Sequence, residues 1–265
     1  MALDRLLIFT TDLYKGGIAA ATLKYANSLS SEYDVKIVVW DNLEVLLDVP
    51  SNIDIYQINC PLGANFGRTK LNILKRKLLR LLSLPFVIVK FILLVKQIKP
   101  SMIFSLGYLP NILTLLITKV FKNIKIIVSE RTSPQRDLEN SGIKGRLVVF
   151  VAKRLYKYAD RILTPSIELK DEISQLYNLE QSKVVGISNY FDLDEIRSKM
   201  EEEISSNEGK EIFNSNIIVT CGRLSRQKGQ WFLIRSIAPL LIDNPGWKLV
   251  FLGDGELLDF LQKMT

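Results

Sequence analysis

Short apolar, often β-branched runs alternate along this chain with longer stretches whose apolar positions recur at helical spacing. The pattern predicts strands at 6–10, 35–40, 53–58, 102–106, 124–129, 161–164 and 183–187. Between them it predicts helices at 18–29, 71–98, 111–120, 144–158 and 166–177, the second being one long or kinked region with Pro85 as its expected break. Strands that alternate with helices in this way imply a mostly parallel, doubly wound α/β sheet. A connecting helix at 192–200 and a polar stretch at 201–215 follow. A second strand–helix–strand pattern then begins at Ile217, with strands at 217–220 and 249–252 and a helix at 231–241. The expected organisation is a Rossmann-like domain over 1–188, a hinge or linker over 189–215 and part of a second Rossmann-like domain over 216–265.

The most informative loop lies between the strand at 217–220 and the helix at 231–241. It reads Gly222-Arg223-Leu224-Ser225-Arg226-Gln227-Lys228-Gly229. Glycines let a backbone approach a ligand, a helix N-terminus offers free N–H groups, and Arg and Lys neutralise negative charge. The loop therefore suits phosphate, with Arg223 and Lys228 each reaching one phosphate of a diphosphate. It is not a Walker loop, because no Gly-Lys-Ser/Thr follows four variable residues. Gly253-Asp254-Gly255 lies one βα unit later, and Asp254 reads either as a ligand contact or as the cap of the next helix.

Three further loops fall at predicted strand ends, where open α/β sheets bind ligands. Lys15-Gly16-Gly17 permits close approach of a phosphate or sugar, or serves plain turn geometry; it lacks the dinucleotide fingerprint. Ser105-Leu106-Gly107-Tyr108-Leu109-Pro110-Asn111 places Asn111 either in a cleft or as a helix cap. In Ser129-Glu130-Arg131-Thr132-Ser133-Pro134, Glu130 and Arg131 either bind sugar hydroxyls or hold the loop by an ion pair.

Charge changes the picture. The net charge is +7, yet no acidic residue occurs between Asp54 and Glu130, a stretch that holds twelve Lys and Arg. Such a run points to an anionic partner, such as lipid head groups, a pyrophosphate-linked substrate or nucleic acid, or else to a basic solvated face. Within 68–99, Lys75, Arg76, Lys77 and Arg80 cluster among leucines, as on helices that dock on anionic membranes. The alternative is a crossover helix with a basic outer face. Arg80, Pro85 and Lys90 leave no uncharged span of the roughly 18 residues that a membrane helix needs. The chain has no histidine, which excludes Ser-His-Asp and Cys-His chemistry and His-ligated metal sites within it. Cys60 and Cys221 fit no metal spacing and read as reduced core residues; no metal site is expected.

Together these segments resemble family 4 of the retaining glycosyltransferases, which have the GT-B fold. The resemblance rests on Lys15-Gly16-Gly17, on Tyr158-Ala159-Asp160-Arg161 with Ser166, and on Ser188-Asn189 with Asp192. Its most specific part is Gly222-Arg223-Leu224, Lys228-Gly229 and Gly253-Asp254-Gly255. The loops at 105–111 and 129–134 are similar to a subgroup that builds bacterial O-antigen, capsule and other lipid-linked glycans. The resemblance implies a hexosyltransferase with a nucleoside-diphosphate sugar, foremost a UDP-sugar, as co-substrate and no cofactor or required metal. Arg223 and Lys228 would be the catalytic cations. Gly16, Gly17, Gly222, Gly253 and Asp254 would join them in donor binding, and Tyr108, Asn111, Glu130 and Arg131 would serve the acceptor cleft. A lipid-pyrophosphate-linked glycan and an anionic membrane surface at 68–99 would be the partners, with no nucleic acid. The protein would be cytoplasmic and peripheral on the inner face of the cell membrane. The family's C-terminal acidic pair would lie past residue 265, so the resemblance also implies a C-terminally truncated chain with little or no turnover. The competing expectations are a nucleotide-sugar epimerase of similar architecture and an inactive membrane-associated product.

Overall fold

A computed structural model describes residues 3–13, 16–40, 49–59, 73–118, 120–189 and 191–264; the side chains at 73–81, 136–145, 148, 195 and 208 lie outside that description. The chain divides into two compact units, Met1–Phe191 and Asp192–Thr265.

In the first unit seven strands form one sheet: β1 (Arg5–Thr10), β2 (Asp34–Val39), β3 (Asp54–Gln57), β4 (Met102–Leu106), β5 (Lys125–Ser129), β6 (Arg161–Thr164) and β7 (Val184–Gly186). Their order is β3-β2-β1-β4-β5-β6-β7, and every pairing is parallel. The order reverses between β1 and β4, the switch point at which an open α/β sheet forms its crevice. Among the described residues, five α-helices lie between the strands: α1 (Gly17–Leu29), α2 (Ile73–Ile98), α3 (Tyr108–Ile117), α4 (Pro134–Leu155) and α5 (Ile167–Tyr177). Both sheet faces carry a core. One packs Leu7, Phe9 and Val38 under Phe91 of α2, whose ring stacks on Phe9 at 4.2 Å. The other packs Leu6, Ile8, Ile37 and Phe104 with Ala26 of α1. Central strands buried on both faces explain the near-continuous apolar runs in the sequence.

Three helices differ from the sequence pattern, each for a local reason. The long helix is not broken: α2 runs unbroken through Pro85. Pro85 stands on the exposed face, where water can take the carbonyl that its missing N–H leaves free. At its far end, Arg5 of β1 donates from Nη1 to the Ile98 carbonyl at 3.0 Å, a cation on a helix C-terminus. Helix α3 starts at Tyr108, with Gly107 as its N-cap, so Asn111 is inside the helix and does not cap it. Helix α4 starts ten residues earlier than its periodicity suggests. Pro134 suits a first helical position, and Glu172 of α5 supplies the cap by accepting from the Gln135 N–H at 3.0 Å and from Ser133 Oγ at 2.7 Å.

The second unit contains α6 (Leu193–Met200), α7 (Asn207–Phe213), β8 (Asn216–Cys221), α8 (Gln230–Asp243), β9 (Trp247–Leu252) and α9 (Leu258–Gln262). The polar stretch at 201–215 is therefore partly helical; Ser206 caps α7 by accepting from the Gly209 N–H. Strands β8 and β9 pair in parallel, with Ile218 beside Leu249 and Thr220 beside Phe251. Leu249 and Phe251 pack with Leu224, Ile234 and Leu261 on the helix side. The alternate positions, Val219, Cys221 and Leu252, are exposed. Cys221 is thus a free surface thiol, correcting its expected burial, because in this register it falls on the uncovered sheet face. Cys60 lies outside the described residues.

Candidate functional site

In the first unit the loops at the carboxyl ends of the strands gather most of the expected residues. Lys15 lies outside the described residues. Gly16 is the extended N-cap of α1 and makes no side-chain cap bond, and Gly17 has open space where a side chain would stand. Neither a left-handed backbone angle nor packing demands glycine at Gly17. Both glycines stand at the N-terminus of α1, whose first-turn N–H groups have no partner within the helix.

The β4 and β5 loops are tied into one buried network. Gly107, at a left-handed φ of 92° that favours glycine, donates its N–H to the Ser129 carbonyl at 3.1 Å. Asn111 is fully buried. Its Nδ2 donates to the Ser129 carbonyl at 2.9 Å and to Tyr156 Oη at 3.1 Å, while its Oδ1 accepts from Ser105 Oγ at 2.8 Å. Tyr156 Oη in turn donates to Glu130 Oε1. The donors Ser105, Asn111 and Tyr156 therefore all run toward a carboxylate that is 1% exposed. Burial first, and then the Glu130 charge, push the Tyr156 hydroxyl well above its ordinary pKa. The same two causes raise Tyr108, which lies half-buried beside Glu130. Arg131 turns away from this network and donates from Nη2 to Asn189 Oδ1, beyond β7.

The Tyr158-to-Arg161 and Ser166 motif is structural in this fold. Asp160 Oδ2 accepts the Ile126 N–H at 2.6 Å, and Ser166 Oγ caps α5 through the Leu169 N–H at 3.2 Å.

The second unit builds the loop at 222–229. Gly222 is at φ 147° and Gly229, the N-cap of α8, at φ 67°. The Lys228 Cε lies 3.8 Å from where a Gly222 Cβ would stand, so its chain folds back beside Arg223 at the strand end. Arg226 goes elsewhere, its guanidinium 6.0 Å from the Trp231 ring centroid. Arg223 and Lys228 are both exposed. Beneath them the β9 loop is pressed against this one. Gly222 N–H donates to the Leu252 carbonyl at 2.9 Å, and Leu224 N–H to the Asp254 carbonyl at 3.0 Å. A Cβ on Gly253 would stand 2.0 Å from the Gly222 carbonyl oxygen. These glycines therefore allow two loops to touch. Asp254 accepts the Gly255 N–H at 2.8 Å through Oδ1.

Sequence reasoning missed two residues of these sites. Tyr156 sits at the end of an apolar helical pattern and reads as core. Gln230, just after Gly229, is 5% exposed and donates from Nε2 to the Arg223 carbonyl at 2.9 Å. Its signal is a polar residue between Gly229 and the apolar run Trp231–Ile234.

A Rossmann-like parallel sheet with strand-end loops of this kind defines an α/β protein of the GT-B class. The Glycosyltransferase Family 4 profile matches residues 15–195, and the chain belongs to that family. It is 29% identical over 181 residues to an uncharacterized glycosyltransferase of Methanocaldococcus jannaschii, covering 66% of this chain and 44% of that protein. It is 24% identical over 259 residues to the Campylobacter jejuni N-acetylgalactosamine-N,N'-diacetylbacillosaminyl-diphospho-undecaprenol 4-alpha-N-acetylgalactosaminyltransferase, covering 98% of this chain and 65% of that enzyme. The chain thus spans less than two thirds of either relative. Among solved structures, Anabaena HepE in complex with UDP-glucose matches with a TM-score of 0.69 at 15% identity, over 98% of this chain and 65% of that one. The fold likeness extends to a UDP-N-acetylglucosamine 2-epimerase from Rickettsia bellii, with a TM-score of 0.58 at 11% identity, over 100% of this chain and 64% of that one.

Proposed function

We propose that the protein is a retaining hexosyltransferase that moves a sugar from a UDP-sugar to a lipid-linked or surface glycan acceptor. The observation that carries this reading is the glycine-bounded loop in which Arg223 and Lys228 stand exposed at a strand end beside a helix N-terminus. As the bond from the anomeric carbon to the diphosphate oxygen breaks, negative charge grows on the leaving nucleotide. The acceptor oxygen bonds to the same carbon, and its proton passes to a phosphate oxygen. Two fixed cations oppose the new charge without any need for a metal ion. The nucleotide is suggested by the UDP-glucose in the HepE complex, and the diphospho-lipid acceptor by the name of the Campylobacter relative.

The membrane part of this reading rests on α2. Among the described residues no helix is long and apolar enough to cross a bilayer. Leu82, Phe86, Val89 and Leu93 recur at helical spacing on its outer face and are 44–62% exposed. They follow the basic cluster at 75–80, whose side chains lie outside the described residues. An apolar stripe beside a basic cluster suits a peripheral seat on an anionic leaflet, at the cytoplasmic face.

The test is donor affinity and turnover for Arg223→Ala and Lys228→Ala. Each loses a charge-assisted contact, on the order of 1.5–3 kcal/mol, and so weakens binding by roughly 10–150-fold. Unchanged values for both variants overturn the assignment. Product analysis separates transfer from epimerisation: the sugar joined to an acceptor supports the proposal, and a free epimerised sugar with no acceptor product refutes it.

A further inference from the structure

Gln230 opens α8, and its two polar atoms have different fates. Nε2 donates to the Arg223 carbonyl, while Oε1 is buried with no hydrogen-bond partner among the described residues. A buried acceptor without a donor destabilises a fold, and an apolar side chain of the same length would avoid that cost. Packing of α8 alone therefore does not account for a glutamine here; the bond to Arg223 does. The neighbours of Arg223 are held from the other side, Gly222 by the Leu252 carbonyl and Leu224 by the Asp254 carbonyl. Leu224 also accepts the Leu257 N–H at 3.1 Å. Three consecutive residues are thus pinned, and the middle one is pinned by Gln230.

We propose that Gln230 is a positioning residue for diphosphate recognition. By holding the Arg223 carbonyl it fixes the backbone from which the guanidinium reaches the diphosphate of the nucleotide. An arginine on a fixed backbone loses less freedom on binding than one on a loose loop, so the bond acts on affinity through preorganisation. This inference rests on the function proposed above.

The experiment titrates the purified protein with UDP by calorimetry and records its thermal midpoint, for Gln230→Met, Gln230→Glu and Arg223→Ala. Gln230→Met should bind UDP more weakly by up to about 5–10-fold, because the ordering of Arg223 that the bond supplies, worth at most roughly one net hydrogen bond, must then be met on binding. Its midpoint should change little, because relief of the unpartnered carbonyl offsets the lost bond to Arg223. Gln230→Glu should show a deficit, relative to the parent at the same pH, that narrows from about pH 8 to about pH 5.5. There the buried carboxyl takes up a proton and again donates to Arg223. Wild-type affinity in Gln230→Met, with Arg223→Ala weakened, overturns the positioning role and leaves the diphosphate reading standing. Wild-type affinity in Arg223→Ala overturns the diphosphate reading itself. A loss of midpoint that parallels the loss of affinity in Gln230→Met, with a pH-independent deficit in Gln230→Glu, assigns Gln230 to the fold alone.

Discussion

A Cβ on Gly255 would stand 2.2 Å from the carbonyl oxygen of Leu224. The residue after Arg223 is therefore in contact with a loop that starts some thirty positions later. No side chain fits between them, and the contact is made by backbone on both sides.

This contact predicts the behaviour of Gly255→Ala. The methyl group must push Leu224 away, and with it the main-chain bonds on either side of Arg223. Overpacking of this kind costs about 1–3 kcal/mol. The variant should lose thermal stability in the second unit and bind UDP more weakly than the parent. A calorimetric titration alongside a melting curve checks both. Full affinity at full stability would show that the contact between the loops is dispensable.

A second prediction concerns the network under the β4 and β5 loops. Tyr156→Phe removes the donor to buried Glu130 and the acceptor for Asn111, leaving each without a partner it now has. Destabilisation by about 1–3 kcal/mol is expected, measured by denaturant unfolding. If Tyr108 meets the acceptor, Tyr108→Phe should instead leave stability nearly unchanged and raise the KM for acceptor more than it lowers donor affinity.

The same tyrosines set a response to alkaline pH. Burial and Glu130 raise the pKa of Tyr156 and Tyr108 in the fold, so both keep their protons when the unfolded chain has lost them. The folded state then binds more protons than the unfolded state, and stability falls as pH rises above about 10, the ordinary tyrosine pKa. Ultraviolet titration should show at least two tyrosines, Tyr108 and Tyr156, that ionise only on alkaline unfolding. Tyr156→Phe should flatten the alkaline limb of the stability profile. A single titration of all tyrosines near their ordinary pKa would contradict the burial.

The exposed stripe on α2 predicts a membrane phenotype that charge alone does not give. Phe86→Ser with Val89→Ser keeps the charge of the helix and removes much of the apolar surface. Sedimentation with vesicles containing phosphatidylglycerol should fall in this variant even at low salt. Neutralising Lys75, Arg76, Lys77 and Arg80 should remove the preference for anionic over neutral vesicles. Equal sedimentation of both variants and the parent would refute docking through this helix.

Much of this was legible in the sequence, because parallel strands buried on both faces write themselves as apolar runs. All seven strands of the first unit fall where those runs fall, and the loop carrying Arg223 and Lys228 falls between β8 and α8. What was illegible depends on partners distant along the chain. The start of α4 is set by Glu172, which belongs to another helix. Asn111 reads as a cap from its local sequence, but Ser105, Ser129 and Tyr156 recruit it to a buried network. Cys221 reads as core because β8 is apolar, and only the register with β9 shows which face is open.

The sheet order also sets a timetable for folding. Leu6 of β1 is the parallel neighbour of Met102 of β4, so the central pair of the sheet cannot close until the chain has been made through β4. Closing so long a loop is slow, and it leaves earlier elements waiting. Helix α2, which lies between these strands in sequence, leaves the ribosome before β4. Its inner residues Val87, Phe91 and Val95 then have only the β1 and β2 part of their core to pack on, and lack Ile103 of β4. The nascent chain therefore passes through a stage at which α2 is only partly covered by its own sheet, and a chaperone or a bilayer can compete for it.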